Sequence, residues 1–203
     1  MGEARHTDLE QLWSGPFGDA YTERNAAAHE ARGPFWERVL RTHEPRSVLE
    51  VGCNLGANLR WIGEEVDRRF VVGVDVNEGA LARLRERDPR ANALYASALD
   101  LPFRDGAFDL VFTMGVLIHI GSDDLATAMS EIVRCSGRYV LCAEYFADEE
   151  TSVEYRGETG ALFKRDYGGL YASQFPELEL VENGFLGRDE GWDDVTWWLF
   201  RRA

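Results

Sequence analysis

The chain reads as short, unbroken apolar runs separated by segments whose apolar positions recur at helical spacing. Ser47–Val51, Phe70–Asp75, Ala93–Ala96, Phe108–Thr113 and Arg138–Ala143 are brief and rich in Val, Leu, Ala and Phe. Strands without polar alternation are buried on both faces, as in parallel sheets covered by helices. Between them, Ala57–Val66, Glu78–Arg87 and Asp123–Arg134 carry the pattern of amphipathic helices. Such alternation predicts an α/β fold with a doubly wound, Rossmann-like sheet.

The two ends depart from that pattern. Leu178–Phe185 and Val195–Arg201 are separated by nine residues that include Gly187 and Gly191. A parallel crossover needs a dozen or more, so these strands should pair as an antiparallel hairpin, for about seven mostly parallel strands in all. Ahead of the first strand, Thr7–Trp13 reads as helix and Ser14–Gly18 as a Gly-rich bend. Asp19–Leu40 then reads as helix again, with a break near Gly33–Pro34.

Bulk properties narrow the class. At 203 residues, 45% hydrophobic and 29% charged, the chain matches one globular domain. A net charge of −14 argues against a nucleic-acid partner, because phosphate backbones are held by clustered Lys and Arg. Cys53, Cys135 and Cys142 lie far apart in apolar stretches, which suits buried free thiols in a reducing cytoplasm. The polar stretch Met1–Gln11 lacks the apolar core of a signal peptide, and no apolar run is long enough to span a membrane. A cytoplasmic protein without a membrane partner is expected; oligomeric state is not legible.

The sharpest chemical signal is Val48-Leu49-Glu50-Val51-Gly52-Cys53-Asn54-Leu55-Gly56, at the junction of strand one and helix one. A glycine turn there brings backbone close to a ligand, and the helix N-terminus offers free N–H donors. The G-x-G-x-x-G spacing of dinucleotide-binding domains is broken, while an acid precedes the first glycine. E-x-G-x-(G/N)-x-G resembles motif I of the class I S-adenosylmethionine-dependent methyltransferases. Asn54 replaces their usual middle glycine, which its tolerance of left-handed backbone accommodates. Asp75 closing strand two, Ala96-Ser97-Ala98-Leu99-Asp100-Leu101-Pro102-Phe103, and Phe108 to His119 follow in that family's order.

The resemblance implies a cofactor, S-adenosylmethionine, and roles for residues. Glu50, Gly52, Asn54 and Gly56 would form its loop, and Asp75 would take the ribose hydroxyls. Val76 or Asn77 would lie against the adenine, with Ser97, Ala98 or Asp100 at its amino group and Met114 and Gly115 at the methionine end. Trp13, Tyr21, Arg24 and Asn25 would cover the cofactor, with Arg24 a candidate for its carboxylate.

Further matches run from Phe17-Gly18-Asp19-Ala20-Tyr21 through Glu144-Tyr145-Phe146, Tyr155–Tyr167 and Asp194-Val195-Thr196-Trp197. They look like the methyltransferases associated with pseudaminic acid biosynthesis. That likeness implies a bacterial enzyme of small molecules, with one domain over 1–203: an N-terminal helical lid (1–44), a cofactor-binding core (45–145), a substrate cap (146–177) and a terminal β-hairpin (178–203).

Candidate chemistry on the acceptor side is more open. His119 titrates near neutrality and is a candidate base. Tyr145 and Glu144 emerge at the C-terminal edge of strand five, where doubly wound folds place ligands. Tyr155, Arg156, Lys164 and Arg165 belong to the cap; their cations suit a carboxylate or phosphate, or instead ion pairs with Glu154, Glu158 and Asp166. The expected activity is methyl transfer to oxygen or nitrogen of a small polar, acidic metabolite such as a sugar acid. N-methylation of an amine or guanidine, drawn by Asp148–Glu150, is the alternative; a non-catalytic cofactor-binding protein is another. No cluster of acids and histidines suggests a metal.

Overall fold

The computed structural model describes residues 7–24 and 32–203. Seven strands form the main sheet: β1 (Val48–Val51), β2 (Val71–Asp75), β3 (Asn92–Tyr95), β4 (Phe108–Met114), β5 (Ser136–Glu144), β8 (Leu178–Leu186) and β9 (Val195–Arg202). Their order is β3-β2-β1-β4-β5-β9-β8. β1 to β5 run parallel, and β9 pairs antiparallel with both β5 and β8, so it alone runs against the other six. This is the doubly wound sheet with a terminal hairpin that the apolar runs predicted.

Helices cover both faces. On one side α6 (Ser122–Cys135) and α7 (Tyr167–Gln174) bury Met129, Ile132 and Tyr171 against Val111, Val140 and Phe200. On the other, α3 (Arg32–His43) and α4 (Ala57–Glu65) bury Trp36 and Ile62 against Phe112 and Leu199, with the Trp36 and Phe112 rings 4.5 Å apart. α5 (Glu78–Arg87) follows β2. The order in which strands are laid down reverses between the parallel β1 and β4, which opens a crevice beyond their C-terminal ends, where such sheets bind ligands.

α1 (Asp8–Ser14) and α2 (Pro16–Arg24) lie over that crevice. Thr7 and Glu10 cap α1 reciprocally, each side chain taking the other's backbone N–H at 3.1 and 3.0 Å. The expected bend over Ser14–Gly18 shrinks to Gly15, because Pro16 presets a helical φ and opens α2. Of Asp19–Leu40, expected to be helix with a break near Gly33–Pro34, the described residues lie in α2 and α3, and 25–31 fall outside the described residues. Gly33–Pro34, read as a break, sits in the first turn of α3, where a missing N–H costs nothing.

Between β5 and β8 lies a second small sheet that the apolar patterning does not predict. β6 (Thr151–Tyr155) and β7 (Glu158–Lys164) form a hairpin whose two-residue turn places Arg156 and Gly157 at φ 57° and 86°. Among the described residues, no helix is long and apolar enough to cross a membrane, and all three cysteines are free and buried.

Candidate active site

Where β1 ends, the backbone enters left-handed conformations at Gly52 (φ 80°), Asn54 (φ 44°) and Gly56 (φ 71°). A Cβ on Gly52 would meet Val116 Cγ2 at 2.4 Å, so only glycine fits beneath the β4 loop. Asn54 adopts the left-handed backbone that its replacement of a glycine requires. Asp75 fastens this loop to β2: one carboxylate oxygen accepts the Asn54 N–H at 2.7 Å, the other the Asn77 N–H at 2.8 Å. Burial raises the Asp75 pKa, against the pull of those N–H groups.

Above the loop lies a cleft of about 930 Å³, bounded by Asp75–Asn77, Ala96, Ala98, Leu99 and Met114–Val116, with Trp13 and Tyr21 over it. Trp13 packs 4.0 Å from the His119 ring centroid and 5.3 Å from that of Tyr21. Asn77 caps α5 and also donates to the Trp13 carbonyl and Asp19, tying the helical cover to the core at 3.1 Å each. Ser97 is turned away: its hydroxyl accepts the Leu99 N–H at 2.9 Å and donates to Glu10 on α1. Asp100 and Arg24 are exposed and do not line the cleft. Asn25 lies outside the described residues.

Several buried polar atoms near the cleft have no partner: Trp13 Nε1, Arg32 Nε, Glu50 Oε2 and Asn54 Oδ1. Buried polar groups are nearly always satisfied, and a cluster of exceptions marks a place for a ligand. Asn58 carries the fixed half of this set. Its Oδ1 accepts from Arg32 at 2.9 Å and Trp36 at 3.1 Å, while its Nδ2 donates to Glu50 at 2.6 Å. Burial pushes the Glu50 carboxyl up to about 8, although Asn58 and Arg32 pull it down.

His119 ends a short turn after β4. Its Nδ1 lies 2.8 Å from the Ala161 carbonyl, which can only accept, so Nδ1 carries the hydrogen and Nε2 the lone pair. Burial holds this imidazole down to about 4, against that hydrogen bond, and it is neutral at pH 7. Glu144 stands behind the turn rather than in the cleft. Fully buried, it accepts the N–H groups of Val116, Leu117 and Ile118 at 3.2–3.3 Å. Burial raises its pKa to about 7. Its geometry is that of an anchor for the Met114–His119 loop, which corrects the expectation of a reacting group.

A second chamber, about 500 Å³, meets the cleft at Met114, Gly115, His119 and Tyr21. Tyr145 and Tyr155 line it, and so do Arg32, Trp192 and Asp193, which the sequence did not single out. Among the cap cations, Arg165 is corrected outright. It is 3% exposed and donates to Glu150 (2.7 Å), the Ile120 carbonyl, Tyr167 and Ser122 (3.1 Å each), a lock between hairpin and α6. Arg156 occupies the exposed hairpin turn, and Lys164 sits 5.9 Å from the Tyr145 ring centroid. Among the missed residues, Trp192 did carry a signal: a lone aromatic between glycine and two acids in a loop. Arg32 carried none, being one of many arginines in a helical stretch. Among the described residues, no group of three or more His, Cys, Asp or Glu is placed to hold a metal ion.

Residues 48–137, from β1 to the start of β5, match the family model described as "Methyltransferase domain". Residues 48–137, whose loops bound much of the cleft, carry a methyltransferase domain. Its fold is that of the Burkholderia thailandensis 1,6-didemethyltoxoflavin-N1-methyltransferase, solved with its substrate and S-adenosylhomocysteine. The TM-score is 0.76 at 17% identity, over 100% of this chain and 93% of that one. Magnesium protoporphyrin IX methyltransferase from Synechocystis, with bound S-adenosylhomocysteine, gives 0.70 at 10% identity, over 96% and 98%. Among curated proteins, the tRNA U34 carboxymethyltransferase of Actinobacillus succinogenes is 34% identical over 151 residues, 68% of this chain and 46% of the relative. That of Haemophilus ducreyi is 38% identical over 125 residues, 55% of this chain and 38% of the relative. The chain thus spans less than half the length of these curated relatives.

The methyltransferase domain takes S-adenosylmethionine as its cofactor, and the residues present fit it. The Gly52 turn, the Asp75 carboxylate and unsatisfied atoms of Asn54 and Trp13 surround one cleft, while Glu50 stands behind it on β1.

Proposed function

We propose that this chain transfers the methyl group of S-adenosylmethionine to an oxygen or nitrogen of a small acidic metabolite. The observation that carries the reading is the junction of two cavities at Met114, Gly115 and His119, one suited to the cofactor and one to an acceptor. Asp75 would hold the ribose hydroxyls, Ala98 and Leu99 the adenine, and Met114 and Gly115 the methionine end under Trp13. When bound, the cofactor supplies an electrophilic methyl on a sulfonium. The remaining work is alignment and exclusion of water.

His119 is suited to alignment. Its Nε2 lone pair would accept a hydrogen bond from the acceptor's O–H or N–H, directing a lone pair of that atom toward the methyl, and the proton would leave to solvent. Glu144 acts through the loop it anchors and is a positioning residue. Arg32 supplies the positive charge for an acid. The test is methyl transfer from labelled cofactor to a panel of sugar acids, aromatic acids and amines, with products identified by mass. The resemblance to pseudaminic-acid-associated enzymes keeps sugar acids on that panel.

A second reading, an RNA acceptor, is favoured by the names of the curated relatives. The net charge of −14 weighs against it. A gel-shift with tRNA separates the two readings.

A further inference from the structure

The acceptor chamber has a lining that narrows the class of acceptor, given the methyltransferase reading above. Aromatic side chains dominate it: Tyr21, Tyr145, Tyr155 and Trp192, with His119 where it meets the cleft. Met114, Ile118, Leu162 and Val195 add apolar surface. Among the described lining residues there is no Ser, Thr, Asn, Gln or Glu side chain. A polyol would need a directional partner for each hydroxyl it brings out of water, whereas a flat ring is held by aromatic faces.

One half-buried cation lines the chamber. Arg32 packs 5.3 Å from the Trp192 ring centroid, spends Nη1 on Asn58, and leaves its Nε–H unsatisfied. A half-buried guanidinium whose buried Nε–H is unused is a half-made site for a planar anion, which matches its fork. Glu50, the acid coupled to it, is held by Asn58, and Asp193, the lining acid, is exposed to solvent.

We propose that the acceptor is a small planar aromatic or heteroaromatic carboxylic acid, its carboxylate on Arg32 and its ring among Tyr145, Tyr155 and Trp192. The atom to be methylated would then face His119 and the cofactor cleft.

The test uses the full chain and pairs of probes that differ in one group: hydroxybenzoates, aminobenzoates and hydroxypyridine carboxylates against their carboxamides, with N-acetylneuraminate as a non-aromatic acid. At least one aromatic acid should be methylated, with its carboxamide lower in kcat/KM by about tenfold or more. Arg32→Gln should erase that preference while cofactor affinity, read by calorimetry, stays within about twofold. Arg32→Lys, which keeps the charge, should restore part of it and guards against misfolding of the Gln variant. Inert aromatic acids, a preferred sugar acid, or loss of cofactor affinity in Arg32→Gln with acid preference intact would each overturn the assignment. Failure of the wild type to bind the cofactor would instead remove the methyltransferase reading on which it rests.

Discussion

The side-chain amide of Asn58 donates to the buried carboxyl of Glu50 across 2.6 Å. One small residue thereby joins the acid at the end of β1 to Arg32 and Trp36 on α3. Asn58→Ala strands three buried polar groups and should destabilise the fold by about 3 kcal/mol, since each orphan costs about 1–3 kcal/mol. Urea unfolding measures this; a loss below about 1 kcal/mol would mean that water replaces the amide without penalty.

Glu50 and Glu144 also shape the pH dependence of stability. Burial raises them to about 8 and about 7, so in this range the native state binds more protons than the unfolded chain. Their contribution is intact below the unfolded carboxyl pKa and is lost as pH rises through the folded values. Stability should therefore decline from about pH 5 to pH 8 at about 1.4 kcal/mol per unit for each group while it titrates. Glu50→Gln should flatten the slope up to pH 8 in chemical denaturation. An unchanged slope would show that Glu50 is ionised throughout.

For Arg165, the expected phenotype is structural. Arg165→Ala removes four hydrogen bonds between the β6–β7 hairpin, Glu150 and the turn before α6. Because Glu150 is half exposed and recovers solvent, the cost should be about 2–3 kcal/mol. Cofactor affinity should hold. A stable variant that loses acceptor binding would return Arg165 to the substrate.

The strands were legible because β1, β2, β4 and β5 are buried over most of their length and their sequences are mostly apolar, with only isolated polar residues such as Glu50 and Asp109. The glycine loop was legible too, since left-handed backbone at Gly52, Asn54 and Gly56 leaves a residue signature. What the sequence hid depended on direction. Glu144 lies beside Tyr145, which lines the acceptor chamber, and Arg165 follows the cap hairpin, yet both side chains turn inward to backbone and carboxylate partners. Periodicity cannot tell a cation that faces a cavity from one that locks a hairpin. Arg32 shows the converse, a helical arginine made functional only by the burial of its neighbours.

His119, held down to about 4, should not titrate between pH 5 and 8. The kcat/KM profile is expected to show no inflection near 6.5 from this residue, and His119→Ala to lower it by about 10²-fold or less. An inflection near 6.5 that vanishes in His119→Gln would make His119 a titrating base instead.

The most direct measurement is calorimetric titration of the protein with S-adenosylmethionine and S-adenosylhomocysteine, with NAD as control, in wild type and Asp75→Ala. The account predicts micromolar binding of the first two, no binding of NAD, and loss of at least about tenfold in affinity when Asp75 is removed. Binding of NAD, or no binding of either sulfur ligand, would contradict it.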